Sequence, residues 1–251
     1  MSNDAITTPN EANSTSPLIL IVNPNSSQSI TDAISDSLDI RDGSVEYMTG
    51  PSSSVEAIND EQGALISAEA CLPLVIERMS QPRQPNAVLV ACYSDHPLVG
   101  MLKKEVTQPE FAVMGIFEAS VVSAVKAIKP GQKFGIVTTG KAWEPILTDG
   151  VFDILSEMDD AEPDCFAGVI GTGLGVLELH GGDVEAINSS MSQAAQELAS
   201  KGVSAICLGC AGMSGLDVVV ANAVNEEDQP DRIKIIDGVK AGVELLRVRS
   251  S

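Results

Sequence analysis

Aromatic residues make up only 3% of this chain, and its 15 Lys and Arg face 35 Asp and Glu, for a formal net charge of −20. The first shortage leaves too few stacking platforms for single-stranded nucleic acid. The second removes the clustered cations that a phosphate backbone requires. A nucleic-acid partner is therefore not expected. The five cysteines (71, 92, 165, 207 and 210) are odd in number and lack the spacing of a disulfide framework. The first 16 residues are polar, without the apolar stretch or basic start of a secretory signal, and no later run approaches membrane-spanning length. The expectation is a cytoplasmic protein with free thiols and no membrane contact. Histidine is scarce as well, and His96 and His180 come with no evident Ser or Asp partner for a hydrolase triad.

What the chain has in quantity is aliphatic residue and glycine. It is 44% hydrophobic with 21 glycines in 251 residues, a composition suited to a globular α/β protein whose core is built from Val, Ile, Leu and Ala. Residues 1–16 read as a disordered tail. Short apolar runs then recur at 18–22, 44–48, 87–91, 112–116, 134–137, 205–208 and 233–236, separated by helix-like stretches at 28–38, 55–80, 97–105, 118–128, 141–157, 183–201, 213–224 and 238–247. Alternation of this kind predicts βα units around mostly parallel sheets.

The two halves echo one another. Leu20-Ile21-Val22-Asn23-Pro24-Asn25 is similar to Gly135-Ile136-Val137-Thr138-Thr139-Gly140, and the run ending at Cys92 is similar to the run ending at Cys210. The segment from Val113 likewise pairs with that from Lys234. The expected architecture is two pseudosymmetric α/β domains, with the final unit of each half packed on the opposite half. That assigns 17–108 plus 230–251 to domain one and 109–229 to domain two, with a cleft between them.

Cys92 and Cys210 each close a buried-strand pattern and precede a helix-like stretch, the edge at which open α/β sheets bind ligands. Cysteine works as base or nucleophile only as thiolate, and a helix N-terminus favours that form. Ser94 and Asp95 are candidate caps after Cys92, with Pro97 in the first helical turn. Cys71, Cys165 and Cys207 read as packing. Cys207 and Cys210 form a C-x-x-C, but a three-residue offset points them to opposite faces while the strand lasts. A zinc site has only Cys92 with His96 as a plausible pair. Asn23-Pro24-Asn25-Ser26-Ser27 and Thr138-Thr139-Gly140 end the first strand of each half and place polar groups at the same edge, suited to holding substrate oxygens or a developing enolate. Gly171-Thr172-Gly173-Leu174-Gly175 lacks the third glycine of a dinucleotide fingerprint and reads as a flexible loop near the cleft.

These segments, with Ala91-Cys92-Tyr93-Ser94-Asp95 and Leu208-Gly209-Cys210-Ala211-Gly212-Met213, resemble the aspartate/glutamate racemase superfamily, and within it the hydantoin racemase family that includes allantoin racemases. The resemblance runs in order along nearly the whole chain after the tail. It implies a racemase with no cofactor and no metal, acting on a 5-substituted hydantoin, allantoin among them, by proton transfer between two opposed cysteines. Carried over residue by residue, it makes Cys92 and Cys210 the acid/base pair, with Asn23, Ser94, Thr138 and Thr139 as ring-binding candidates. Tyr93-Ser94 and Ala211-Gly212 depart from the Asn-Thr type of sequence that follows the cysteines of the amino-acid racemases, which disfavours a free amino acid. Both cysteines being present argues against the related decarboxylases, which keep one. The expected partners are a small-molecule substrate and further copies of the chain in a homo-oligomer. A relative acting on another carbon acid, a ligand-binding protein without turnover, and a Cys/His metal protein are the alternatives.

Overall fold

A computed structural model describes residues 17–249 except 107, 109, 160, 163, 227, 230 and 231, so the expected tail lies outside the described residues. The first half runs β1 (Ile19–Asn23), α1 (Gln28–Leu38), β2 (Val45–Thr49), α2 (Glu61–Met79), β3 (Ala87–Val90), α3 (Pro97–Glu105), β4 (Ala112–Gly115) and α4 (Ile116–Ala127). The second runs β5 (Lys133–Thr138), α5 (Trp143–Ser156), β6 (Phe166–Gly171), α6 (Glu178–Gly181), α7 (Val184–Ser200), β7 (Val203–Gly209), α8 (Asp217–Val224), β8 (Lys234–Asp237) and α9 (Gly238–Arg249). A single 3₁₀ turn, Ala211–Met213, stands between β7 and α8.

Each half forms a four-stranded parallel sheet, ordered β2-β1-β3-β4 in the first and β6-β5-β7-β8 in the second. The duplication holds in the registers. Val22 lies opposite Val90 in the first sheet, and Val137 opposite Leu208 in the second. Cys92 and Cys210 therefore stand at equivalent places, each two residues past a matched strand position. By the same equivalence Asn23 corresponds to Thr138.

Central strands are apolar on both faces because both faces are covered. Ile19 and Ile21 of β1, Ala87 and Leu89 of β3, Phe134 and Ile136 of β5, and Ala205 and Cys207 of β7 all contribute to one cluster shared by the two sheets. Their alternate neighbours point outward, Leu20, Val22, Val88 and Val90 to a layer with α2 and α3, and Ile206 and Leu208 to a layer with α7 and α8. The halves are thus joined by a continuous interior, to which each fully buried Leu or Ile contributes about 1.5–3 kcal/mol.

Two expectations need correcting. β4 pairs with β3 and β8 with β7, so boundaries at 108/109 and 229/230 would cut the last strand from each sheet. The crossing is made by helices instead: α4 packs on β7 and β8, α9 packs on β3 and β4, and the two helices pack on each other. Gly238 permits that close crossing, since a Cβ there would stand 2.8 Å from the Ile116 carbonyl oxygen. The strand β6 is a second difference, since no uninterrupted apolar run marks it in the sequence. Two glycines interrupt its Phe-Ala-Gly-Val-Ile-Gly sequence, Gly168 has φ +113°, and its edge position leaves most of it half-buried. Such a strand carries little of the β-branched, fully buried signal that marks its neighbours.

Candidate active site

Cys92 and Cys210 line one cleft of about 450 Å3, open mouth included, between the ends of the two sheets. Asn25, Tyr93, Thr138, Thr139 and the backbone around Gly209 and Gly212 complete its polar side, and Ile30, Ile58, Trp143 and Val176 its apolar side. No charged side chain is among these lining residues. The single tryptophan of the chain is here.

Both thiols are free and partly exposed. The Cys92 sulfur lies 3.5 Å from the Ser94 hydroxyl. The Cys210 sulfur accepts the Gly212 N–H at 3.3 Å, which makes Cys210 the cap of the 3₁₀ turn. Burial nevertheless pushes both thiols up, Cys92 to about 11 against the opposing help of Ser94, and Cys210 to about 12. At Cys210 the Gly212 N–H works downward, while a charge on Cys92 works upward. A helix N-terminus was expected to lower both values, but the local geometry limits that effect. Helix α3 starts five residues beyond Cys92, with His96 as its cap, and the element after Cys210 is one short turn. Desolvation therefore wins. The electrostatic influence of Cys92 on Cys210 also disfavours two thiolates at once, leaving one base and one acid.

The polar loops sort differently from the sequence expectation. Asn23 is 1% exposed, and its amide N–H groups are engaged with Asn25 Oδ1, the Ser27 carbonyl and Thr31 Oγ1, each at 3.0 Å. It faces inward beneath α1 and holds the loop, and it is not among the cleft-lining residues. Asn25 is. Its Oδ1 accepts the Ser27 N–H at 2.9 Å and the Asn23 amide, while its own Nδ2 has no acceptor among the described residues. Asn23 shares the inward face of Ile19 and Ile21, as Thr138 shares that of Phe134 and Ile136, but α1 sits over Asn23 and engages its amide, so in this half it is Asn25, beyond the strand end, that reaches the cleft. The loop is anchored through Pro24, whose carbonyl accepts the Ser54 hydroxyl at 2.6 Å and the Cys71 thiol at 3.3 Å.

Thr138 and Thr139 both line the cleft. The Thr138 hydroxyl donates to the Gly209 carbonyl at 3.0 Å, tying the end of β5 to the residue before Cys210. Thr139 makes no side-chain hydrogen bond among the described residues, and its carbonyl accepts the Gly173 N–H at 2.9 Å. The glycine-rich segment thus begins at the end of β6 and runs beside the threonines, and Val176 just beyond it reaches the cleft. Ser94 touches the Cys92 sulfur from outside the cleft lining, and it borders a second cleft with residues of α3, α4 and α5.

His96 does not face the thiols. It is 1% exposed, its Nδ1 accepts the Leu98 N–H at 3.3 Å, and its Nε2–H donates to Ser67 at 2.9 Å. Burial lowers it to about 4, so it is a neutral helix cap. Cys207, fully buried, points into the shared core, while Cys210 packs against the other side of β7, as period-two alternation requires. The side chain of His180 lies outside the described residues.

The family model for Asp/Glu/Hydantoin racemase matches residues 19–246. Protein C1F7.10 of Schizosaccharomyces pombe is 36% identical over 232 residues, covering 91% of this chain and 90% of the relative. A hydantoin racemase of Paenarthrobacter aurescens is 28% identical over 203 residues, 78% of each chain. Among solved structures, the allantoin racemase from Klebsiella pneumoniae matches with a TM-score of 0.75 at 25% identity, over 93% of this chain and 87% of that one.

Proposed function

The chain belongs to the Asp/Glu/hydantoin racemase family, and from that premise we propose that it racemises 5-substituted hydantoins, allantoin among the candidates, by proton transfer between Cys92 and Cys210. The observation that carries this reading is the pair of thiols at equivalent strand ends in one cleft without charged lining. A zwitterionic amino acid would bring a carboxylate and an ammonium into a site that has no counter-charge for either. A neutral cyclic ureide needs none.

In the forward direction one cysteine thiolate takes the proton from carbon 5, and the electron pair delocalises into the adjacent ring carbonyl. The opposing thiol then delivers its proton to the other face of carbon 5. One sulfur ends protonated and the other ionised, and solvent exchange resets the pair. The roles reverse for the other enantiomer. The enolate oxygen is the place for hydrogen-bond donors, and Asn25 Nδ2, the Thr139 hydroxyl and the Trp143 indole N–H are side-chain donors of the lining left uncommitted among the described residues. Each such donor is worth on the order of 3 kcal/mol in the transition state. No step calls for a metal or cofactor.

The test is incubation of single-enantiomer hydantoins, allantoin included, in D₂O, following loss of optical rotation and deuterium entry at carbon 5. Racemisation with deuterium uptake is expected from reduced, metal-free protein, and its loss in both Cys92→Ala and Cys210→Ala. Absence of both signals across a broad panel overturns the proposed activity. Wild-type racemisation by the two variants overturns the two-thiol mechanism. The same reading extends to a homo-oligomer in a thiol-reducing cytoplasm, and a monomeric sedimentation profile would refute the oligomer.

A further inference from the structure

Tyr93 directly follows Cys92, lines the cleft and is 6% exposed. Its hydroxyl lies 2.6 Å from the Ser120 hydroxyl of α4. Ser120 donates its own proton to the Phe117 carbonyl at 2.9 Å, so in this bond Tyr93 is the donor and Ser120 the acceptor. The Tyr93 ring also packs at 5.2 Å, tilted by 53°, against Phe117 in the first turn of the same helix. The Ser120 backbone carbonyl accepts the Cys207 thiol at 3.6 Å, and that thiol also lies against the Tyr93 hydroxyl. Cys207 lies on β7, three residues before Cys210.

One residue of the crossing helix is therefore bonded to both thiol-bearing segments. The first connection leaves the loop one residue from Cys92, and the second leaves the strand three residues from Cys210. All three members are buried, with Ser120 and Cys207 at 0% exposure, so water offers no substitute partner if one bond is lost. The core beneath Ser120 is shared by both sheets and has little freedom to relax. Neither Ser120 nor Cys207 is among the cleft-lining residues, so their influence on a bound ring is indirect.

We infer that Tyr93, Ser120 and Cys207 are positioning residues that set the separation of the Cys92 and Cys210 sulfurs. The inference rests on the two-thiol reading of the cleft. A racemase must present an acid and a base to opposite faces of one carbon at the same time, so an error of about 1 Å in their spacing costs on the order of 100-fold. A misplaced opposing thiol still allows the first sulfur to remove the proton and return a deuteron to the same face. Exchange with retention then continues while inversion falls.

The test uses Tyr93→Phe, Ser120→Ala, their double variant and Cys207→Ala of the full chain, the last because the Cys207 thiol bonds the Ser120 backbone carbonyl, which Ser120→Ala leaves in place. In D₂O, with a hydantoin that the wild type racemises, the ratio of retained-configuration exchange to inversion should rise at least tenfold. KM should change less than threefold, and the double variant should be no worse than the poorer single. A general loss of folding lowers exchange and inversion together and leaves the ratio fixed. A second readout needs no substrate: dibromobimane, which bridges two thiols within a narrow span, is applied at pH 9.5, and Cys92–Cys210 bridged peptide is quantified. Bridging should fall at least fivefold in Tyr93→Phe and in Ser120→Ala. Equal bridging in wild type and variants, including none in either, overturns the inference even if racemisation is observed. If no hydantoin is turned over, the proposed reaction fails and the bridging result still decides the positioning role.

Discussion

The unliganded site should hold both thiols protonated at neutral pH, and this sets a measurable penalty on catalysis. With Cys92 pushed up to about 11, the thiolate is about one part in a thousand at pH 8, against roughly one in four for an ordinary cysteine near 8.5. Ionising Cys92 at pH 8 therefore costs about 4 kcal/mol. Cys210 is pushed up as well, to about 12, and a charge on Cys92 is one of the causes, so ionising either sulfur hinders ionising the other. Alkylation by iodoacetamide, followed by peptide mass spectrometry from pH 7 to 11.5, should be on the order of 200-fold slower at Cys92 than at a free cysteine at pH 8. The rate should climb about tenfold per pH unit until near pH 11. Below the pH at which the imide N–H of the ring itself ionises, kcat/KM should rise with the same slope, because a neutral ring brings no charge to shift the pair. Half-maximal alkylation near pH 8.5 would refute the dominance of desolvation. It would mean that Ser94, the Gly212 N–H and the short turn outweigh burial after all.

Three further outcomes follow from the geometry. Asn25→Asp preserves the Oδ acceptor for Ser27 but replaces the uncommitted donor with a carboxylate that has no counter-charge, so kcat should drop 100-fold or more and the melting temperature should fall; a loss of kcat below tenfold would remove Asn25 from enolate stabilisation. Gly209→Ala places a Cβ 2.6 Å from the Val137 carbonyl oxygen and 2.8 Å from Ile136 Cγ2, so thermal denaturation should show about 1–3 kcal/mol of lost stability and racemisation should fall at least tenfold; wild-type values for both would refute the strand-end contact. His96 is held neutral at about 4 when folded, against an ordinary 6.5, so its contribution is complete above pH 6.5 and is lost as pH falls toward 4. The total is about 3 kcal/mol, and urea titrations should show the corresponding slope flattened in His96→Asn, which keeps a capping side chain; equal slopes in the two proteins would refute the assignment.

Much of the fold was legible because central strands buried on both faces must be continuous apolar runs. Among the described residues the central strands β1, β3, β5 and β7 announce themselves in that way and the edge strands β2, β4 and β8 by shorter or mixed runs, whereas β6 does not, since its two glycines leave few of the β-branched residues that make the pattern. The helix expected from residue 55 begins at Glu61, where the Asp60 carboxylate accepts the Gly63 N–H and fixes the start. Asn23 illustrates a different limit. Strand alternation assigns it to the inner face, but only the position of α1 above that face turns it into a loop anchor and leaves Asn25 at the cleft.

The alternating elements, the internal repeat and the two cysteines at strand ends can all be read from the order of residues, because each is a pattern of apolarity and spacing along the chain. Tertiary structure alone decided how the halves join, which polar loop residue faces the cleft, and how readily the thiols ionise. Those properties depend on what packs over a residue from far along the chain. For the cysteines the deciding quantity is the low-dielectric enclosure assembled by two sheets, and it outweighs the dipole of any neighbouring turn.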